Sequence, residues 1–159
     1  MDNLEIKSKD SIPENIVGYD LVSLIYNSAS RIYGQLGAGH AESTYQKALM
    51  YELSLHNISI DIERHLNVVY EDSKGNKHFL TSERIDLYLH KNELFNLSDI
   101  ILELKAVSKN IQEQEIVQIN KYIKQLKKDK IDIHFGIIIN FPQPTAKSTS
   151  ENIHFVITN

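Results

Sequence analysis

The spacing of hydrophobic positions changes along this chain, and each change marks an element. From Ile16 to Leu36 apolar residues fall at helical spacing (Leu21, Leu24, Ile25, Ile32, Leu36) and stop at Gly37-Ala38-Gly39. A glycine pair is a strong breaker, so the pattern predicts a first helix ending there. A second helix is predicted from Glu42 to His56, where Tyr45, Leu49 and Leu53 step four apart and Asn57 fits a C-terminal position. The period then falls to two. Ile58, Ile60 and Ile62 alternate with polar residues, Leu66 to Tyr70 stays extended, and Asp72-Ser73-Lys74-Gly75-Asn76 supplies hairpin chemistry. The second arm is predicted from His78 to Leu89, a polar turn over Lys91 to Asp99, and a third strand from Ile100 to Val107. Gln112 to Lys128 forms the clearest amphipathic helix, with Ile116, Ile119, Ile123 and Leu126 on one face and most lysines off it. Ile133 to Phe141 reads as a strand covered on both faces, Pro142 to Ser150 as a loop, and Asn152 to Thr158 as a short last strand. The order helix, helix, strand, strand, strand, helix, strand, strand, with no internal repeat, describes one α/β unit.

The length of 159 residues fits a single domain over residues 16–159 behind a polar lead over residues 1–15. A chain this long buries roughly 70% of its unfolded surface and forms a core without staples. The longest apolar run, Phe135 to Ile139, is far short of the roughly 20 residues of a membrane helix, and Met1 to Ser11 is polar. A cytoplasmic protein, neither secreted nor membrane-spanning, is the expectation. The sequence has no cysteine. That excludes disulfides, thiolate metal sites and cysteine nucleophiles, leaving carboxylates, His, Lys, Ser and Tyr to carry any chemistry. A formal charge of -4 argues against a sequence-blind nucleic-acid coat, which needs many cationic contacts to phosphate. A local basic run does exist, at Lys121, Lys124, Lys127, Lys128 and Lys130. It reads equally as a solvated helix face or a phosphate track. With arginine confined to Arg31, Arg64 and Arg84, shape-led nucleic-acid binding is favoured over base reading.

Period two places Glu103 and Lys105 on one strand face with Ile101, and Ile100, Leu102 and Leu104 on the other. One face reads as polar and the other as core, and by itself Glu-x-Lys is an ordinary surface pattern. Asp86 changes the weight, because a neighbouring strand would bring it and Glu103 within reach of one cation. Hard divalent ions such as Mg²⁺ and Mn²⁺ take oxygen ligands, usually one or two carboxylates with water and phosphate. The plainer alternative pairs Asp86 with Arg84. A second concentration, Leu36 to Tyr45, is a glycine turn opening a helix, where Glu42 fits the positive helix end. His40 is read as an exposed loop residue, with a nitrogen ligand as the alternative. His56, His65, His78, His90, His134 and His154 have no ligand spacing.

Gly39, Glu42 and Tyr45 together resemble the pattern of the GxxExxY family within the PD-(D/E)XK nuclease superfamily. The resemblance extends to Leu36-Gly37, Arg84-Ile85-Asp86, Glu103-Leu104-Lys105-Ala106, Gln118, Tyr122 and Asn140-Phe141, spanning Ile16 to Phe141. Ala38, His40 and Ala41 depart from the family's usual residues in the glycine turn. The resemblance implies a restriction-endonuclease-like α/β core, a mixed central sheet flanked by helices with the acidic pair at a fork. It implies that Asp86, Glu103, Glu42 and the Leu104 carbonyl bind Mg²⁺ or Mn²⁺, that Lys105 orients or activates the attacking water, and that Gln118 and Tyr122 face metal or phosphate. The implied activity is metal-dependent hydrolysis of phosphodiester bonds in DNA or RNA, with Lys121, Lys124, Lys128 and Tyr122 meeting the nucleic acid. So small a nuclease would work with a narrow substrate, as a homodimer or with a partner protein. The alternative is a weak or inactive nuclease-fold module that binds nucleic acid or protein.

Overall fold

The computed structural model describes residues 3–144 and 152–158. In chain order the elements are β1 (Leu4–Ile6), α1 (Tyr19–Leu36), α2 (Glu42–Ser54), β2 (Ile60–Glu71), β3 (Lys77–Leu89), β4 (Asp99–Lys105), α3 (Glu113–Lys128), β5 (Ile133–Asn140) and β6 (His154–Thr158). The strands form one six-stranded sheet in the order β1-β6-β5-β4-β3-β2. Every neighbouring pair is antiparallel except β4 and β5. A parallel pair needs a crossover, and α3 supplies it.

Both faces of the sheet are covered. On one, Val22 and Ile25 of α1 and Leu49 and Leu53 of α2 pack with Leu102, Leu104, Ile137 and Ile139. On the other, Ile119, Tyr122 and Leu126 of α3 pack with Ile101, Ile138, Ile85 and Tyr88. The strand alternation expected for β4 is present, but its supposed polar face is not solvated. Ile101 is fully buried and Glu103 only 7% exposed, because α3 lies over them. Close approach of α3 requires Gly136 in β5, where a Cβ would come within 2.7 Å of the Ile119 Cδ1.

Element ends differ from the sequence pattern where local chemistry intervenes. The first helix begins at Tyr19, because Gly18 takes a left-handed φ of 84° and acts as its N-cap. The second ends at Ser54, and Asn57, with φ of 59°, closes the following turn. The hairpin forms as expected, with the Asp72 Oδ1 accepting from the Lys74 and Asn76 amides at 2.9 Å. Leu4–Ile6, inside the supposed lead, is a sheet strand paired with β6. Of the loop expected over Pro142 to Ser150, residues 145–150 lie outside the described residues. No helix among the described residues is long and apolar enough to cross a membrane.

Candidate active site

The site is built where β3 and β4 part. They pair only at Leu87 with Leu102, Tyr88 with Ile101 and Leu89 with Ile100. Continuing that register would set Asp86 opposite Glu103, and the ladder stops there. The ladder between β2 and β3 keeps its register from Ile62 with Leu87 to Arg64 with Ile85 but lacks the pair of Glu63 with Asp86 between them. Glu63, the residue passed over, takes a left-handed φ of 52°. Asp86 therefore stands outside the regular pairing on both sides, and side chains take over its main chain. Its amide donates to the Glu103 Oε1 at 3.3 Å, and its carbonyl accepts from the Gln46 Nε2 at 2.8 Å. Its own Oδ2 accepts the Leu104 amide at 2.7 Å. Two carboxylates are thus fixed at a fork by bonds that a regular ladder would otherwise have made.

Burial and mutual repulsion raise the proton affinity of these acids. Glu103 is pushed up to about 9, by burial first and then by the charge of Asp86, with Lys105 and the Asp86 amide opposing. Asp86 is also raised by burial, while the Leu104 amide, Lys105 and a hydrogen bond with Glu103 favour its charged form. Both acids are thus shifted toward their protonated forms, Glu103 the further, and the two titrate as a pair. Glu42, half-buried at the first position of α2, is raised by burial and by Asp86, and lowered by Lys105. Lys105 thus acts electrostatically on all three acids, yet forms no ion pair within 4 Å among the described residues. Arg84 pairs with Glu63 at 3.1 Å, so the Asp86–Arg84 alternative is not realised.

The glycine turn explains how Glu42 arrives there. Gly37 adopts φ 70° and ψ -169°, a conformation open only to glycine, and Gly39 takes φ 97°. Tyr45, fully buried, donates to the Gly37 carbonyl at 2.7 Å and stacks on Phe141 with centroids 4.4 Å apart. Gln143 joins the two sides, its Oε1 accepting the Gly39 amide at 2.7 Å and its amide donating to the Tyr45 hydroxyl at 3.2 Å. Gly39 and Tyr45 are therefore the frame that aims the first turn of α2. His40 contacts the Leu36 carbonyl at 3.1 Å, in keeping with the loop reading. On the far side, Asn140 accepts the Val107 amide and donates to the Val107 and Lys109 carbonyls at 2.9–3.0 Å, bracing the chain just beyond Lys105.

The remaining expected residues divide between the fork and the outer surface of α3. Gln118 donates to the Tyr122 hydroxyl at 2.8 Å. Burial and the charges of Glu103 and Glu83 raise Tyr122 above an ordinary phenol, which puts this pair beside the acids. Tyr122 is only 3% exposed, so it is no stacking surface for a base; the helix period turns it toward the sheet, as it does Ile119 and Leu126. Lys121, Lys124 and Lys128 line a groove of about 740 Å³ with Arg64, His65 and Asn67 of β2. Lys121 is held there by Glu83 at 2.9 Å. Leu104 meets Asp86 through its amide. Among the described residues no three His, Asp or Glu side chains gather into a ready metal cluster. Two carboxylates meet at the fork, and Glu42 is coupled to Asp86 and Glu103 through its charge.

Sequence reasoning missed Gln46 and Gln143. The signal for Gln46 was its position four residues after Glu42, on the same helical face. No pattern marked Gln143, which lies outside any element.

A mixed sheet covered by helices on both faces, with strands parting around one buried and one partly buried carboxylate and a lysine two residues beyond, defines a restriction-endonuclease-like α/β domain. The family model of the PD-(D/E)XK nuclease superfamily matches residues 19–153, and the chain belongs to that superfamily. No curated protein matches the sequence.

Proposed function

We propose that this chain is a metal-dependent nuclease of the GxxExxY type, using Mg²⁺ or Mn²⁺ held between Asp86 and Glu103 to hydrolyse phosphodiester bonds in DNA or RNA. The observation that carries the reading is the fork itself: the buried Glu103 carboxylate beside the partly buried Asp86 carboxylate, neither in an ion pair among the described residues. A hard divalent cation fits that donor set, since one or two carboxylates with water and phosphate make an ordinary Mg²⁺ shell. When bound, such an ion lowers the pKa of water and offsets charge on the phosphate.

The protein's residues have distinct tasks in this reading. Asp86, whose charged form the Leu104 amide favours, and Glu103 would hold the ion with the Leu104 carbonyl. Lys105, in no ion pair among the described residues, would orient the attacking water and stabilise the charge that develops on the phosphate. Glu42 supplies a further acid for water or ion, and Gln118, backed by Tyr122, faces the phosphate. The groove beside Lys121, Lys124 and Lys128 gives the nucleic-acid backbone a path.

No three His, Asp or Glu side chains gather into a metal cluster among the described residues, and this favours one rival, a module of the same fold that binds without turnover. Cleavage of plasmid DNA and of single-stranded RNA, in EDTA, Mg²⁺ and Mn²⁺, decides between them. Metal-dependent cleavage lost in Asp86→Ala and in Lys105→Ala supports the nuclease. Binding without cleavage under every metal condition, unchanged in Asp86→Ala, supports the module.

A further inference from the structure

We propose that Gln46 is a positioning residue for the metal site, holding the Asp86 main chain in place so that the two carboxylates present a fixed pair to the ion. The inference rests on the metal site proposed above. Asp86 sits where β3 is released from β4 and where β2 passes over Glu63, so its carbonyl lacks the support that regular pairing gives its neighbours. The Gln46 amide replaces that support at 2.8 Å. Gln46 is 6% exposed, so water is a poor substitute there. A glutamine buried in a helix costs desolvation and side-chain entropy unless its amide is used, and this one is used at the residue that most needs support.

The geometry gives the bond a second consequence. Glu42 and Gln46 lie one turn apart on α2 and both meet the fork, Glu42 through its charge on Asp86 and Gln46 through a hydrogen bond. The glycine turn and Tyr45 set the helix, and Gln46 ties that setting to the strand carrying the first metal ligand. Displacing the Asp86 backbone would also move its Oδ2 away from the Leu104 amide. Outer partners that orient metal ligands commonly account for 10–100-fold in affinity.

The test compares wild type, Gln46→Met and Leu53→Ala as full-length chains. Gln46→Met keeps the volume and removes the donor; Leu53→Ala loosens the far end of the same helix by removing a buried side chain without touching Asp86. Mn²⁺ binding is titrated by calorimetry, and amide hydrogen exchange is followed in EDTA. The expected result is Mn²⁺ affinity about tenfold weaker in Gln46→Met, with faster exchange confined to Asp86 and Leu104, and affinity within about twofold of wild type in Leu53→Ala. If Gln46→Met fails to fold, Gln46→Leu, which also removes the donor, is titrated in its place with the same tenfold expectation. Unchanged affinity and exchange in the folded Gln46 variant overturn the role while leaving the metal site intact. Equal losses in the Gln46 and Leu53 variants overturn it as well, since they mark general loosening. No Mn²⁺ binding by wild type overturns the metal site, and the role with it.

Discussion

Replacing Glu103 by glutamine isolates the electrostatics of the fork. The amide keeps an oxygen to accept the Asp86 N–H but carries no titrating proton. In the folded chain Glu103 is raised from 4.5 to about 9, chiefly by burial and then by Asp86. Across that window the folded state holds a proton that the unfolded state has lost. By linkage, metal-free stability then falls as pH rises, by at most about 1.4 kcal/mol per pH unit for one proton. Glutamine has nothing to lose. The two proteins should be close in stability near pH 5, and Glu103→Gln should be the more stable at pH 8 by up to about 4 kcal/mol. Urea unfolding in EDTA at pH 5, 6, 7 and 8 measures this, and the difference between the two proteins cancels histidines common to both. Repeating the series in Mn²⁺ should reverse the order, because metal replaces the proton in wild type and has lost a ligand in the variant. A stability difference that stays constant across pH, or wild type the more stable at pH 8 in EDTA, would refute the raised pKa of Glu103.

Three further outcomes follow from the same geometry. Mn²⁺ at about 100 times its dissociation constant should stabilise wild type by about 2.7 kcal/mol, or roughly 5–10 °C in Tm by differential scanning fluorimetry, and leave Asp86→Ala unmoved. Tyr45→Phe leaves the half-buried Gly37 carbonyl without its donor and should cost about 1 kcal/mol in urea unfolding, while Phe141 stacking is retained. Gly136→Ala drives a methyl against Ile119 and should cost about 1–3 kcal/mol, with a double-mutant cycle showing partial recovery in Gly136→Ala/Ile119→Val.

Much of the architecture was legible because periodicity reports burial. The amphipathic stripe of Gln112 to Lys128 became α3, and the Ile-rich run from Ile133 became β5 at the sheet interior. Asp86 and Glu103 fell on adjacent strands, as expected from their rhythm. What periodicity could not reveal is what covers a face. Glu-x-Lys in β4 has the alternation of a solvated strand, and only the packing of α3 over Ile101 and Ile138 buries Glu103. The same packing takes Tyr122 out of solvent. Leu4–Ile6 is too short for a period to register, and its place in the sheet comes from β6, far away in sequence. Gln46 was silent for a similar reason: a glutamine on a helix is ordinarily a surface residue, and its partner is a main-chain carbonyl that no side-chain pattern marks. His154 had no ligand spacing, yet its Nδ1 accepts the Ile111 amide at 2.8 Å and its Nε2 meets Glu5 at 2.9 Å, linking the entry to α3 with β1.

The measurement that bears most directly on the metal centre is a crystal of the wild-type protein soaked in millimolar Mn²⁺, with anomalous scattering used to locate the ion. The prediction is a peak between the carboxylates of Asp86 and Glu103, lost in crystals of Asp86→Ala. A soaked wild-type crystal with no anomalous density at the fork, or one whose peak survives unchanged in Asp86→Ala, would contradict it.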